Sequence, residues 1–241
     1  MTVSPTDIAR TVLATEAAAL SRLSTELPAD FEAAISCLLG VQGRVIVSGM
    51  GKSGHVAGKI AATLASTGTP AQTVHPGEAS HGDLGMITRD DVVLAISNSG
   101  EAPELGNLIA YSRRYEIPLI GLTSRPESSL GSQSDVLLLL PQIAEACGTG
   151  VVPTSSTTMT LAMGDALCVA VMEARGFTAE DFGRRHPAGK LGFGLKRVAE
   201  YLTTQPDTAP VVHPQTSMAD VILAITGGGK GCVGVVDENV L

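Results

Sequence analysis

Short runs of β-branched and aliphatic residues alternate with segments of helical periodicity along most of the chain. The runs predict strands at 44–48, 71–74, 92–97, 118–122 and 135–139, and the helical spacing of apolar residues predicts two leading helices at 5–24 and 28–41. Because the strands are apolar throughout and are separated by helices, they indicate a parallel sheet that is covered on both faces. We therefore expect an α/β fold: a doubly wound, five-stranded parallel sheet sandwiched by helices.

The pattern changes after the fifth predicted strand. A polar loop at 141–155 leads into a predicted helix at about 155–175, and a new strand, helix and strand begin near residue 210. This last piece is too short to bury a core of its own. The sequence therefore predicts a main domain over 1–200 and a separate, incomplete module over 206–241.

Charge and composition narrow the class of protein. The net charge of −8 argues against a nucleic-acid groove or an anionic membrane surface as a partner. No uninterrupted apolar stretch has the length of a signal peptide or a membrane span, so we expect a cytoplasmic protein. The cysteines lack the paired spacing of metal ligands and are expected to be reduced, small core residues: Cys37, Cys147, Cys168 and Cys232.

A glycine-rich turn follows the first predicted strand. The segment 49–54, Gly-Met-Gly-Lys-Ser-Gly, satisfies the G-x-G-x-x-G pattern of dinucleotide-binding proteins. A dinucleotide site also needs an acidic residue at the end of the next strand, where this chain has Val74-His75-Pro76, and a P-loop needs a glycine where Ile46 stands. Two interpretations remain: a turn that places Lys52 and free N–H groups near an anion, or a tight turn with a solvated lysine.

Two hydroxyl-rich segments open predicted helices. Ser97-Asn98-Ser99-Gly100-Glu101 follows the third strand, and Pro153 to Thr158 carries five consecutive hydroxyl residues. One hydroxyl is enough for an ordinary helix cap, so two such clusters beside a glycine turn favour a pocket for a monophosphate.

Acidic residues and histidines lie close to these segments. Glu101 and Glu104 are three apart, which predicts one shared helical face just after the serine loop, and Glu145 lies in the polar loop. Each glutamate taken alone is more often a solvated charge. His75 and His81 could bind a metal ion, but no third ligand at a recognisable spacing supports a catalytic metal site.

Several motifs in order resemble the sugar isomerase (SIS) domain family. They are residues 49–55, Ser66 to Pro70, His75-Pro-Gly-Glu-Ala-Ser-His81 with the following Gly82 to Gly85, Ile96 to Glu101, Arg125 to Ser128, Pro153 to Thr158, and Ala174 to Phe182. The resemblance spans about residues 5–200 and is strongest to bacterial arabinose-5-phosphate isomerases. It implies conversion of D-ribulose 5-phosphate to D-arabinose 5-phosphate through an enediolate, a step toward the Kdo sugar of lipopolysaccharide. It also implies a homotetramer with shared active sites, and it identifies 206–241 as the opening half of a first CBS repeat.

The same resemblance implies roles for individual residues. Lys52, Glu104, Glu145 and His186 match the positions that the family treats as catalytic. The predicted substrate-binding residues are Gly51, Ser53, Gly68, Thr69, His75, His81, Ser97, Asn98, Ser99, Gly100, Glu101, Thr154, Ser155, Ser156 and Thr157. No cofactor is expected, and zinc at His75 would not be catalytic.

For the chemistry, Glu104 is the leading candidate for the carbon base, with Glu145 as the alternative. Lys52 would stabilise negative charge, and His186 would protonate the sugar oxygens or open the ring. Glu145 would otherwise assist proton transfer or orient the histidine. Two other functions stay open: an SIS isomerase for another sugar phosphate, and a regulatory module that senses a sugar phosphate.

Overall fold

A central sheet of five parallel strands organises the protein. A computed structural model describes residues 4–186, 210–229 and 231–237. The strands are β1 (Val45–Gly49), β2 (Ala71–Thr73), β3 (Val92–Ile96), β4 (Leu119–Thr123) and β5 (Val136–Leu139), in the order β2-β1-β3-β4-β5. All pairs between neighbours are parallel. Each predicted strand is confirmed to within one residue at each end, because a buried parallel strand is apolar on both of its faces.

Helices cover both faces of this sheet. They are α1 (Pro5–Thr25), α2 (Phe31–Gly40), α3 (Lys52–Ser66), α4 (Pro76–Ala79), α5 (Gly106–Arg114), α6 (Ser129–Gln133), α7 (Ser155–Ala174) and α8 (Ala179–Arg185), with 3₁₀ turns at Asp83–Met86 and Pro103–Leu105. The predicted start of the second helix at residue 28 is wrong. Pro28 lies in a turn, and the helix begins after Asp30, whose carboxylate accepts a hydrogen bond from the N–H of Leu137 at 3.0 Å. The contact ties this turn to β5.

The side chains of each strand point alternately to the two faces of the sheet and so divide the core into two clusters. Val47 and Leu94 pack on one face of the sheet with residues of α1, α2, α3 and α7. Ile46 and Val93 pack on the other face with residues of α4, α5 and α6. Successive side chains of a strand point to opposite faces, so each central strand contributes to both clusters.

Helix α7 is the central helix of the first cluster. Its buried face includes Met159, Met163, Leu167 and Val171. Among the residues that the structure describes, it is the one helix long and apolar enough to cross a membrane, yet 50% of that window is buried inside the protein. Burial against α3 and its neighbours accounts for the apolar composition.

The cysteines differ in their surroundings. All four are free thiols, but Cys168 alone is buried, while Cys37 and Cys147 are half-buried and Cys232 is exposed. Burial, reinforced by the nearby Asp165 carboxylate, raises the pKa of the Cys168 thiol to about 12. The expectation of core residues is therefore wrong for Cys147 and Cys232, which lie in loop and tail segments.

A second, smaller unit follows. Strands β6 (Val211–Val212) and β7 (Gly234–Val235) pair in parallel around helix α9 (Met218–Gly228), which is capped by Ser217. The strand–helix–strand pattern predicted for this segment is confirmed. The division into domains at 1–200 and 206–241, and the match of the second unit to a CBS repeat, stay predictions, and residues 187–209 lie outside the described part.

The strand order places a crevice at the carboxyl-terminal ends of the strands, which we call the carboxyl edge of the sheet; the opposite ends form its amino edge. From β1 the chain crosses to β2 on one side, and from β3 it continues to β4 and β5 on the other side. The loops that leave β1 and β3 therefore diverge at their carboxyl ends. Ligands of open parallel sheets bind at such a switch point.

Candidate active site

The loop after β3 is held in place by β4. The carbonyl oxygen of Asn98 accepts hydrogen bonds from Ser124 N at 3.1 Å, Ser124 Oγ at 2.8 Å and Thr123 Oγ1 at 3.1 Å. The turn closes where Gly100 N donates to the Ser97 carbonyl at 3.0 Å and to Ser97 Oγ at 3.1 Å. Gly100 has φ +68°, and a Cβ there would lie 1.8 Å from Ser128 Oγ, so this position needs glycine.

The loop after β5 is held by one carboxylate. Glu145 Oε2 accepts hydrogen bonds from Thr154 N at 2.7 Å, Thr154 Oγ1 at 3.0 Å and Ser156 N at 3.3 Å. Glu145 Oε1 accepts from Ser156 Oγ. Thr154 is the N-cap residue of α7 and makes no side-chain bond to its own helix. Glu145 therefore caps α7 from the loop, where the positive end of the helix dipole favours a negative charge.

These contacts set the charge state of Glu145. Partial burial raises the pKa of its carboxyl group, but the hydrogen bonds from Ser156 and Thr154 outweigh burial, and the pKa lies below its ordinary value. Donors that point at the ionised form stabilise that form. Glu145 is consequently ionised throughout the neutral range.

Two adjoining cavities lie between these loops. One of about 210 Å³ is lined by Lys52 and Ser53 of α3, Asn98, Glu145, and the start of α7. A second of about 180 Å³ is lined by Asn98, Ser99, Ser124, Arg125 and Ser156, among others. Asn98 and Ser156 line both, so together they form one trough along the carboxyl edge. We call it the carboxyl-edge trough. It brings together an ammonium group, an ionised carboxylate and a hydroxyl-rich wall.

Comparison with known proteins identifies the family of this site. The SIS domain model matches residues 38–170. Arabinose 5-phosphate isomerase KdsD of Escherichia coli O157:H7 is 50% identical over 231 residues, which cover 95% of this chain and 70% of that protein. The Pseudomonas aeruginosa protein of the same name is 48% identical over 96% of this chain and 71% of its own. The chain belongs to the SIS-domain family of arabinose 5-phosphate isomerases.

A solved structure supports the same relationship. An E. coli CFT073 protein in complex with A5P superposes with a TM-score of 0.74 and 39% identity, over 77% of this chain and 100% of that one. The predicted SIS fold is thereby confirmed, with five parallel strands between helices.

Most of the predicted site residues meet at the carboxyl edge. Lys52, Ser53, Asn98, Ser99, Glu145, Ser156 and Thr157 line the trough. Gly51 and His75 line a neighbouring cavity of about 250 Å³ together with His55. Ser97, Gly100, Thr154 and Ser155 form the loops and helix start behind this edge, and Ser155 Oγ is buried without a hydrogen-bond partner among the described residues.

The surroundings of His75 do not complete a metal site. His55 adds a second imidazole to its cavity, but within residues 4–186, 210–229 and 231–237 no group of three His, Cys, Asp or Glu side chains could hold a metal ion. A zinc site at His75 and the absence of a cofactor stay predictions. His81 is exposed after α4.

The two glutamates after the serine loop do not share a helical face. Ala102 is extended (φ −69°, ψ 114°) because the residue before a proline avoids helical geometry, and Glu104 lies in the 3₁₀ turn that follows. Helix α5 begins only at Gly106. Glu101 turns toward α6, where it accepts hydrogen bonds from Ser129 Oγ and N, and these bonds hold its pKa below the ordinary value.

Three predicted residues lie at the opposite, amino edge of the sheet. Thr69 is fully buried and accepts a hydrogen bond from Arg175 at 3.2 Å, and Gly68 packs against the ring of Phe177. His186 follows α8 and stacks on Phe182 with ring centroids 3.8 Å apart. The neighbouring Arg185 lines a cavity of about 470 Å³ beside the entries of β1 and β2. Within one chain, these residues do not reach the trough.

Sequence reasoning missed Ser124 and Arg125 as lining residues. Both directly follow β4, and both line the trough with Asn98 and Ser99. The signal was available, because every loop at the carboxyl end of a parallel strand opens toward the same edge.

Proposed function

We propose that the protein interconverts D-ribulose 5-phosphate and D-arabinose 5-phosphate, the substrate that the family resemblance implies. The observation that carries this proposal is the identity of about 50% to arabinose 5-phosphate isomerases over 95% of the chain. The trough supports it, since it offers a cation, a carboxylate and hydroxyl groups to a small anionic sugar. The family resemblance assigns the product to the pathway that makes Kdo.

In the reaction, a base takes a proton from C1 of the ketose, and the electron pair left behind forms the C1–C2 double bond of an enediolate. The C2 carbonyl oxygen takes up the negative charge and is protonated. Return of a proton to C2 and loss of the O1 proton give the aldehyde. Lys52 stabilises the charge on the oxygens, because a positioned cation acts on the charge that develops in the transition state. His186 exchanges protons with the sugar oxygens.

The hydrogen-bond partners of the two candidate bases favour Glu104 as the carbon base, although Glu145 lines the trough and Glu104 is not among its lining residues. Among the described residues, Glu104 is exposed on its 3₁₀ turn and its carboxylate accepts no hydrogen bond from a neighbour. Glu145 accepts four bonds, which lower its pKa and weaken it as a proton acceptor. An effective general base has a pKa near the operating pH. Glu145 is the poorer base on this ground.

The position of His186 supports a site shared between chains. It lies at the amino edge, whereas Lys52 lies at the carboxyl edge. A single chain cannot bring the two together, so we propose a homotetramer in which His186 completes the site of a neighbour. Co-expression of the inactive variants Lys52→Ala and His186→Ala should restore part of the activity, because some sites then receive both native residues. Failure of the mixed oligomers to gain activity over either parent would contradict shared sites.

The proposed activity is tested by NMR of the purified protein with a panel of pentose and hexose phosphates. We expect the C1 and C2 signals of ribulose 5-phosphate and arabinose 5-phosphate to interconvert, with deuterium from solvent entering the sugar. Turnover of a different sugar phosphate would reassign the substrate. Binding without turnover of any member of the panel would indicate a regulatory module.

A further inference from the structure

Two hydroxyl groups at the start of α7, those of Thr154 and Ser156, already donate hydrogen bonds within the protein. Ser156 Oγ and Thr154 Oγ1 both donate to the carboxylate of Glu145, and so do the N–H groups of the same two residues. A phosphate placed on this helix start would have to displace the carboxylate or lie against its negative charge. The arrangement argues against the phosphate pocket that the five consecutive hydroxyl residues predict.

The donors are shared unequally between the two oxygens of Glu145. Oε2 accepts three hydrogen bonds, whereas Oε1 accepts one, from Ser156 Oγ. A carboxylate oxygen has lone pairs for about two good bonds, so Oε1 keeps the capacity for a further donor. Glu145 lines the 210 Å³ cavity together with Lys52, and this is the part of the trough in which the sugar chain would lie.

Resting on the isomerase function proposed above, we infer that Ser156 and Thr154 are positioning residues for Glu145 rather than ligands of the phosphate. They fix a carboxylate whose Oε1 accepts a hydrogen bond from a hydroxyl of the open-chain sugar. The phosphate then lies in the 180 Å³ cavity beside Asn98, Ser99 and Arg125, where the lining carries a cation and no carboxylate. Ser156 also lines this cavity, but its hydroxyl hydrogen is donated to Glu145. Glu145 would thus orient the sugar for the base on the β3 loop.

The charged groups around Glu145 are consistent with a permanent negative charge. Lys52 of α3 lines the same cavity, and Arg125 after β4 lines the adjoining cavity. Arg22 of α1 donates to a carbonyl of the same loop at 3.3 Å. The first turn of α7 carries no acidic residue, and the thiol of Cys147 is the other titratable group of the loop. Removal of the donors from α7 should therefore raise the pKa of Glu145 toward its ordinary value.

The test compares the wild type with Ser156→Ala in kcat, KM, the pH profile of kcat/KM and the inhibition constant of inorganic phosphate. Loss of a hydrogen bond to a charged group corresponds to roughly 10- to 100-fold in rate, so kcat should fall by about that factor. The acid limb of the profile should move to higher pH. The inhibition constant of phosphate should change less than about twofold.

Two further variants guard against a simple failure to fold. Ser156→Thr keeps a hydroxyl at this position and should restore both kcat and the acid limb. Thr154→Val removes one donor but keeps its N–H group, so it should shift kcat and the limb in the same direction by less. Ser217→Ala is the matched control, because it removes a hydroxyl donor from Asp220, a carboxylate at the start of α9 and outside the trough.

The outcomes separate this inference from the proposed function. If Ser156→Ala raises KM and the inhibition constant of phosphate at constant kcat and constant acid limb, Ser156 binds phosphate and the inference is wrong. An unchanged Ser156→Ala enzyme overturns it as well. Absence of pentose phosphate turnover in the wild type is instead a failure of the proposed function.

Discussion

The loops that follow β3 and β5 leave the same edge of the sheet, and each carries hydroxyl residues and at least one glutamate. In the β3 loop, the main chain is held by Thr123 of β4 and by Ser124 directly after it. Glu101 of this loop is bonded to Ser129, and Glu104 makes no hydrogen bond with the described residues. In the β5 loop, the glutamate itself holds the loop, through four hydrogen bonds from the start of α7. Among the described residues, Glu104 therefore has no hydrogen-bond partner, whereas Glu145 is structural.

This difference in hydrogen bonding implies different roles for Glu104 and Glu145. A carboxylate that caps a helix is stabilised in its ionised form, which suits a fixed acceptor and weakens a base. A carboxylate without such partners is available to take a proton from carbon. Two hydroxyl groups follow the same division, because that of Ser156 is used by Glu145 whereas Ser99 of the β3 loop lines the trough.

The strongest test of this comparison is to replace Glu104 and Glu145 in turn. Glu104→Gln keeps the size of the side chain but removes the proposed base, so kcat should fall by roughly 10²–10⁴ with little change in KM. Glu145→Gln should reduce kcat by less, because the amide oxygen still accepts hydrogen bonds. Wash-in of solvent deuterium into the substrate measures the same step and should stop only in the Glu104 variant. The reverse order of the two effects would move the base to Glu145.

A second comparison uses one glycine from each loop. Gly100 has φ +68° and a crowded Cβ direction, so Gly100→Ala should lower the free energy of unfolding by about 2–4 kcal/mol from backbone strain and overlap. Gly150 has φ +66° but open space around it, so Gly150→Ala should cost only the backbone strain of about 1–2 kcal/mol. Denaturant unfolding measures both. Equal losses would mean that the contact with Ser128 does not order the β3 loop.

The smallest expected effect is that of a chelator. Both loops supply their chemistry through side chains and N–H groups, so dialysis against a strong chelator should leave kcat within error of its original value. Added zinc should inhibit by binding at His75, in the cavity beside the trough. If dialysis abolished turnover and a divalent ion restored it, the metal-free mechanism would be wrong.

The strands were predictable because burial on both faces requires an apolar side chain at every position, which leaves a clear signal in a single sequence. The start of α2 was not predictable from the sequence, because its boundary is fixed by the contact of Asp30 with β5, about a hundred residues away. The prediction that Glu101 and Glu104 share one helical face was also wrong. The spacing of three was correct, but Pro103 keeps the residue before it extended.

Sequence alone determined the sheet, the glycine turn, the hydroxyl-rich start of α7 and the family, because each depends on local residue types in order. Tertiary structure decided which of those groups meet. It brought Lys52 and Glu145 to one cavity and placed Thr69 and His186 at the other edge of the sheet. It also decided that the hydroxyl groups of α7 serve a carboxylate from a preceding loop. Spacing along the chain does not encode such partners, since the hydrogen bonds form only when separate segments pack together.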